Sequence, residues 1–373
     1  MDWSKKLEDE YKKVQESIKK PNILLAGATG AGKSSLVNMI FDEKLAAVGI
    51  GKPVTQKIDM FESDEIDVRL FDSKGYELGE AADQEFYDTV VKLAKEAKTP
   101  EEAIHIIWYC IDCGGSKVTD YDLQAIETFM KTGIPLAIVL TKADLVNDED
   151  VVKLRNALPD SSNTFTFETT IKPDAQEYNQ VEKLITWSID HLDESLRLGF
   201  IRSQKVSLSI KWKKAHSMIK QHTAIAFGIG FTPVPCSDAP ALIINELTLL
   251  GRILYIYDLD SLMDTLKKAG IGTIIGSLLT KGGKALATSL LKALPGGWVV
   301  GGLISGSVGA AITSAFGEAT SCVSYKVLKL QLEGKNLQVA EMLNNFGPLI
   351  WEYAKNYLAE GRKTIDDYSE EKM

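Results

Sequence analysis

Cysteine and histidine are scarce in this sequence, with four residues of each among 373. The chain also lacks an N-terminal signal peptide, so we expect a reducing, cytosolic setting and no disulfide framework. Cys110 and Cys113 form a CxxC pair, but no second cysteine pair or nearby histidine cluster completes a metal site. Because Cys110 lies in an apolar run, the pair predicts a buried strand end better than metal or redox chemistry.

The sequence also lacks low-complexity tracts and internal repeats, and 45% of its residues are hydrophobic and 25% are charged. Such a composition is typical of globular proteins, and the length favours two domains. Residues 1–200 contain 23 Lys/Arg and 37 Asp/Glu, whereas residues 201–373 contain 19 and 14. The basic half could bind anionic lipid or nucleic acid, or the two halves could face each other. An ordinary solvated surface would give the same charge difference.

Hydrophobic periodicity predicts the order of secondary structure. Residues 3–20 have apolar positions at steps of three or four and predict an amphipathic helix before Pro21. Short apolar runs then alternate with helical patterns, which predicts an α/β fold with a mostly parallel sheet and helices on both faces. These predicted strands cover residues 23–26, 68–71, 105–111, 136–140 and 164–167.

Beyond residue 195 the strand patterns fade and long helical patterns dominate. We therefore divide the chain into an N-terminal helix (1–20), an α/β domain (21–195) and an all-α domain (196–373). The all-α domain contains an apolar, glycine-rich segment at residues 269–317.

The strongest chemical motif runs from Gly27 to Ser34 and matches G-x-x-x-x-G-K-[ST], between a predicted strand and a predicted helix. In such a phosphate-binding loop, backbone N–H groups and the helix N-terminus surround a phosphate. Lys33 would reach the β- and γ-phosphates, and Ser34 would bind Mg²⁺. A glycine-rich helix cap is the alternative. The predicted nucleotide-binding residues here are Gly27, Thr29, Gly30, Ala31, Gly32, Lys33, Ser34 and Ser35.

Two further motifs follow predicted strands. Asp72 and Gly75 form a D-x-x-G element, in which the carboxylate would hold Mg²⁺ and the Gly75 N–H would meet the γ-phosphate. Thr141, Lys142 and Asp144 form a T-K-x-D element, where a base-reading loop belongs. A carboxylate accepts two hydrogen bonds from the guanine edge but none of this kind from adenine, so Asp144 favours GTP over ATP.

The order of these motifs resembles that of the translation-factor-like small GTPases, which implies a Ras-like P-loop domain that binds GTP or GDP with Mg²⁺. Residues 167–172 resemble their E-T-S-A-K element, which implies guanine contacts from the backbones of Thr170 and Ile171. Residues 48–56 are similar to switch I of Era-like and immunity-related GTPases. That resemblance makes Thr55 a Mg²⁺ ligand in the GTP state, and Lys33, Thr55 and Gly75 the predicted catalytic residues.

The resemblance extends weakly into the second half of the chain. Residues 232–240 and the helical pattern after them resemble an uncharacterised helical domain that is appended to some bacterial Era-like GTPases. Some relatives of that domain are associated with membranes.

The sequence lacks the glutamine that many GTPases place after the D-x-x-G glycine, and Tyr76 stands there instead. Gly30 occupies the place where some Era-like proteins have a potassium-recruiting asparagine. We therefore expect GTP hydrolysis that is slow without a partner. Three functions stay open: a GTP-hydrolysing switch, a nucleotide-binding scaffold with negligible hydrolysis, and a dimerising, dynamin-like membrane-remodelling GTPase.

Residues 265–317 lack any acidic residue but contain five lysines, and residues 296–316 carry no charge. Three interpretations of the uncharged segment stay open: a buried helical core, reversible contact with an anionic membrane, or a membrane span. The expected partners are guanine nucleotide, with a homodimer through the G domain and an anionic membrane left open, and no specific nucleic acid. The expected location is the cytoplasm, with peripheral attachment to the inner face of a membrane left open.

Overall fold

The computed structural model describes residues 3–41, 52–53, 58–63, 66–73, 99, 102–115, 117–159, 163–167, 180–229, 238–263, 266, 275 and 301–360. The chain separates into two compact units. The sheet unit is Ile18–Ser207, and the helical unit is Met1–Ser17 together with Leu208–Met373.

The sheet unit is built on seven strands in the order β2-β3-β4-β1-β5-β6-β7. β1 and β4 to β7 pair in parallel, whereas β2 and β3 add an antiparallel edge. This confirms the predicted α/β class and the five predicted parallel strands. The strand bounds are β1 (Asn22–Ala26), β2 (Lys52–Pro53), β3 (Ile58–Phe61), β4 (Arg69–Ser73), β5 (Ile106–Asp112), β6 (Leu136–Thr141) and β7 (Asn163–Thr166).

The α-helices are numbered along the whole chain. Those of the sheet unit are α2 to α6, and those of the helical unit are α1 and α7 to α11. Their bounds are α1 (Trp3–Ser17), α2 (Lys33–Phe41), α3 (Asp120–Thr132), α4 (Asp148–Asn156), α5 (Val181–His191), α6 (Glu194–Ser203), α7 (Leu208–Ile229), α8 (Asp238–Ile256), α9 (Gly301–Leu332), α10 (Asn336–Asn344) and α11 (Phe346–Glu360).

The central strands explain why the sequence shows unbroken apolar runs. β1, β5 and β6 are buried along almost their whole length, as expected for parallel strands that are covered on both faces. Short 3₁₀ turns follow β5 at Cys113–Gly115 and β6 at Ala143–Leu145. Helix α3 begins with a capping box, because Thr119 Oγ1 accepts from Asp122 N and the Asp122 carboxylate accepts from Thr119 N.

The sheet unit ends at Ser207 rather than at the predicted residue 195. Helix α6 packs on the sheet unit through Phe200, whose ring lies edge-on to Phe41 at 5.8 Å and to Trp108 at 6.2 Å. The same helix is fixed by an ion pair between Arg202 and Asp67 at 2.5 Å. Since α6 has an ordinary helical pattern, periodicity alone could not assign it to either unit.

The helical unit has its described core between α7, α8 and α9. Gly317 of α9 lies so close to α7 that a Cβ there would be 2.8 Å from Ile219 Cγ1. The N-terminal helix α1 contacts α8, where Tyr11 lies against Gly251. The long helical patterns predicted after residue 195 are thus confirmed for the described residues.

The uncharged segment at residues 296–316 is described from residue 301 onward, within α9. Ile312, Ala315 and Phe316 are buried there. Within the described part of the chain, no helix combines the length and apolarity needed to cross a bilayer.

Candidate nucleotide-binding site

The loop between β1 and α2 depends on three glycines with positive φ: Gly27 at +131°, Gly30 at +79° and Gly32 at +81°. Such angles are strained for residues with a side chain. At Gly27 space is also lacking, because a Cβ would lie 2.2 Å from the carbonyl oxygen of Cys110. A Cβ at Gly32 would lie 3.1 Å from the Thr141 side chain. The loop is therefore packed against the ends of β5 and β6.

Lys33 is buried at the start of α2, with 8% of its surface exposed. Its Nζ donates to the carbonyl oxygens of Gly27 at 2.9 Å and Ala28 at 3.1 Å. A lysine ammonium has three N–H donors, so these two bonds leave one donor for another acceptor. Ser34 and Ser35 are exposed at the same helix end, where unpaired backbone N–H groups favour an anion.

Asp72 lies near this loop because β4 pairs in parallel with β1, with Asp72 in register with Leu25. Its Oδ1 is buried and has no hydrogen-bond partner among the described residues. Burial raises the pKa of Asp72, Lys33 opposes that rise, and Asp59 adds to it. The orphaned carboxylate oxygen of Asp72 and the exposed hydroxyl of Ser34 are the hard oxygen ligands that Mg²⁺ prefers, so these residues fit that ion.

The end of β6 is tied directly to the phosphate-binding loop. Thr141 is fully buried, and its Oγ1 lies 2.7 Å from Ala31 O and 3.1 Å from Ile111 O. The contact with Ala31 O holds the Thr141 hydroxyl directly against the phosphate-binding loop. Thr141 therefore contributes to the shape of the site through the loop.

The turn after β6 carries Asp144. Lys142 adopts a left-handed conformation with φ +54°, and Leu145 N donates to Lys142 O at 3.0 Å. Ala143 N donates to Phe167 O at 3.2 Å, which fixes the turn to the end of β7. Asp144 is half-buried on this turn. The phosphate-binding loop and the Asp144 turn thus lie at the same edge of the sheet, where parallel strands end.

The CxxC pair lies beneath the two loops. Cys110 is buried in β5 and Cys113 in the turn that follows it, and both thiols are free. Burial raises the pKa of each thiol to about 12. Thiols with such pKa values stay protonated near neutral pH and are poor nucleophiles.

Sequence patterns missed two contributions to this site: the Cys110 carbonyl that excludes a side chain at Gly27, and Asp112. The Asp112 carboxylate accepts from Lys142 Nζ at 2.5 Å. A polar residue that ends an apolar parallel strand is a usable signal, because such ends meet at one edge of the sheet. The predicted site residues Thr55, Gly75, Thr170 and Ile171 lie outside the described residues.

Comparisons with known proteins agree with this arrangement. Residues 22–142 match the family described as 50S ribosome-binding GTPase. The chain is 29% identical over 133 residues to a probable GTP-binding protein EngB of Aquifex aeolicus, a match that covers 36% of this chain and 72% of that protein. It is 30% identical over 160 residues to a probable GTP-binding protein EngB of Shewanella sediminis, with 40% and 68% covered.

A third relative is the GTPase Era of Clostridium acetobutylicum, which is 27% identical over 180 residues. That match covers 46% of this chain and 55% of the relative, so the chain spans about half the length of that protein. The motifs, the fold and the relatives agree: this chain belongs to the family of P-loop GTP-binding proteins that includes the EngB relatives, and it contains a GTPase domain.

Proposed function

We propose that this protein is a GTP-hydrolysing switch that couples its nucleotide state to the helical unit. The observation that carries the proposal is the direct bond between the two loops, in which Thr141 Oγ1 binds Ala31 O at 2.7 Å. This bond supports the proposal because it joins Ala31 of the predicted phosphate-binding motif to Thr141, the first residue of the T-K-x-D element. A single nucleotide would then contact both elements.

The phosphates would bind at the N-terminus of α2. The remaining N–H of Lys33 would donate to a β- or γ-phosphate oxygen, and the backbone of residues 27–35 would supply further donors. Ser34 and Asp72 would hold Mg²⁺, with Thr55 as a third ligand in the GTP state. The magnesium ion supplies charge neutralisation for phosphoryl transfer, and Gly75 would contact the γ-phosphate.

The base would lie against the turn after β6. Asp144 would accept from the N1–H and N2–H₂ groups of guanine, while Thr170 and Ile171 would contact the guanine oxygen. We expect hydrolysis slower than the roughly 3–5 × 10⁻⁴ per second of a small GTPase that has the water-orienting glutamine, because Tyr76 stands in its place.

Coupling to the helical unit has a physical route within the sheet unit. The C-terminal end of α2 contacts the segment that leads into α7, because Lys205 N donates to Ile40 O at 2.8 Å. Phe41, the last residue of α2, packs on Phe200. A shift of α2 at the phosphates would therefore reach residues 200–205 at the end of the sheet unit, from which the chain continues into α7.

The dependence of the GTP hydrolysis rate on protein concentration tests this proposal. For a switch that acts as a monomer, phosphate release should be slow, require Mg²⁺ and rise linearly with concentration. Lys33→Ala should abolish it and serves as the control for contaminating activity. A wild-type rate equal to that of Lys33→Ala would contradict the switch and support a nucleotide-binding scaffold with negligible hydrolysis. A rate that rises faster than linearly with protein concentration would support the dimerising GTPase.

Membrane contact through residues 265–317 stays a prediction of the sequence, since most of that stretch lies outside the described residues. The five lysines in this stretch, which itself contains no acidic residue, favour an anionic surface. Co-sedimentation with anionic liposomes at low salt is the expected result. Failure to sediment with either GDP or a non-hydrolysable GTP analogue would remove membrane from the expected partners.

A further inference from the structure

Asp112 is the last residue of β5, and its register partner on β6 is Thr141. This register brings Asp112 next to Lys142, and Lys142 Nζ lies 2.5 Å from Asp112 Oδ2. The other oxygen, Oδ1, accepts from Gly114 N at 2.8 Å. Both carboxylate oxygens are thus used, and the Asp112 side chain is held at a defined place beside the lysine.

Lys142 has an unfavourable backbone conformation. It is one of two non-glycine residues with positive φ among the described parts of the chain, the other being Asp258. Left-handed backbone is disfavoured for residues with a side chain and persists only where neighbouring contacts impose it. The ion pair with Asp112 is such a contact, and Asp144 follows only two residues later.

Charge also links the three residues. Burial has the largest effect on the raised pKa of the Cys113 thiol, and the carboxylates of Asp112 and Asp144 both add to it. The carboxylates of Asp112 and Asp144 therefore both lie near the Cys113 thiol, and Lys142 is paired with the first of them.

We propose that Asp112 is a positioning residue for guanine recognition. Its ion pair with Lys142 holds the strained turn of residues 142–145 in the shape that presents the Asp144 carboxylate to the base. The inference rests on the proposed base-reading role of Asp144. It adds a residue that touches no nucleotide atom and acts through Lys142.

The ratio of GDP affinity to IDP affinity is the readout, because hypoxanthine lacks the N2 amino group and can give the carboxylate only one hydrogen bond. The ratio therefore reports the placement of Asp144 relative to the base, and general effects on phosphate binding cancel. Asp112→Asn keeps the size of the side chain and an acceptor for Gly114 N but removes the charge. We expect it to lower the ratio by about three- to tenfold, the range for the net contribution of one typical hydrogen bond, because the Asp144 carboxylate is displaced and not removed.

A double-mutant cycle tests whether Asp112 acts through Lys142. Lys142→Met removes the ammonium and keeps an unbranched side chain. We expect Asp112→Asn to have no further effect on the ratio in the Lys142→Met background. Additive effects of the two substitutions would overturn the inference, since Asp112 would then act independently of the lysine.

Asp144→Asn, measured in parallel, distinguishes the base-reading role of Asp144 from the positioning role of Asp112. If Asp144→Asn keeps the wild-type ratio, the base-reading proposal itself fails. If Asp144→Asn lowers the ratio and Asp112→Asn does not, only the role of Asp112 fails.

The wild-type protein provides a measurement that does not depend on the folding of a variant. The side chains of Lys142 and Asp112 are 27% and 34% exposed, so salt should partly screen their ion pair. The GDP/IDP affinity ratio of the wild-type protein should decrease as the salt concentration is raised, whereas the ratio for Lys142→Met should not change. A salt-independent wild-type ratio would overturn the inference.

Discussion

At Gly27 the chain turns from β1 into the phosphate-binding loop with φ +131°, against the Cys110 carbonyl group. A side chain at this position would place its Cβ 2.2 Å from that backbone oxygen, and no rotamer change relieves the clash because the oxygen belongs to a central strand. At Gly30 the conformation is also left-handed, but a Cβ would meet nothing within 4 Å. A side chain at Gly30 would therefore meet backbone strain alone, whereas one at Gly27 would meet both backbone strain and a steric clash.

We predict that Gly27→Ala lowers the free energy of unfolding of the sheet unit by about 3 kcal/mol or more, through overpacking in addition to strain. Gly30→Ala should cost only about 1 kcal/mol, since backbone strain is its sole penalty. Urea unfolding and titration with fluorescent GDP would measure both effects. Equal losses for the two variants would show that the Cys110 contact does not limit the loop.

Other residues of the site differ in how far sequence could predict them. The phosphate-binding motif placed Lys33 and Ser34 because the chemistry is encoded in adjacent residues. Asp112 was not predicted, because its pairing with Lys142 depends on the register between β5 and β6. Spacing along the chain contains no information about that register until the turns are known.

At the scale of elements, periodicity predicted the parallel strands and the helical second half. It missed β3, a four-residue strand between β2 and β4 whose apolar and polar residues do not alternate cleanly. It also placed α6 in the helical domain, because a helix has the same pattern whichever unit it covers. Contacts such as the Arg202–Asp67 ion pair decide its unit, and these exist only in the folded chain.

Helices α8 and α9 are joined by a buried polar contact that predicts a pH dependence. Glu246 is fully buried, its Oε1 accepts from Thr313 Oγ1 at 2.5 Å, and its Oε2 has no partner among the described residues. Burial raises the pKa of Glu246 to about 8, against an ordinary value of 4.5. Between these values the folded chain holds one more proton at this site than the unfolded chain.

The free energy of unfolding should therefore fall as pH rises from 5 to 8, with a slope of at most about 1.4 kcal/mol per pH unit from this group. Glu246→Gln removes the titration and should flatten that slope, whereas Glu341→Gln, at an exposed acid on α10, should leave it unchanged. Urea unfolding at several pH values would compare the three proteins. A slope for Glu246→Gln equal to that of wild type would contradict the buried, protonated state.

At the scale of the whole molecule, the two units differ in their relation to known proteins. The family match lies within residues 22–142, in the sheet unit. Counted over the units themselves, the sheet unit has 21 Lys/Arg and 32 Asp/Glu, whereas the helical unit has 21 and 19, so the acidic excess lies in the sheet unit. Nucleotide binding is therefore the claim on which any role of the helical unit depends.

Guanine selectivity tests that claim most directly. Wild-type protein, Asp144→Asn and the control Asp148→Asn, at an exposed acid on α4, would be titrated with GTP and XTP. Asp144→Asn should lose roughly 2 to 4 kcal/mol of GTP affinity and gain affinity for XTP, because the new amide can donate to the extra xanthine carbonyl. Asp148→Asn should behave as wild type. If Asp144→Asn binds GTP as tightly as the wild-type protein, the base-reading site has been assigned to the wrong loop.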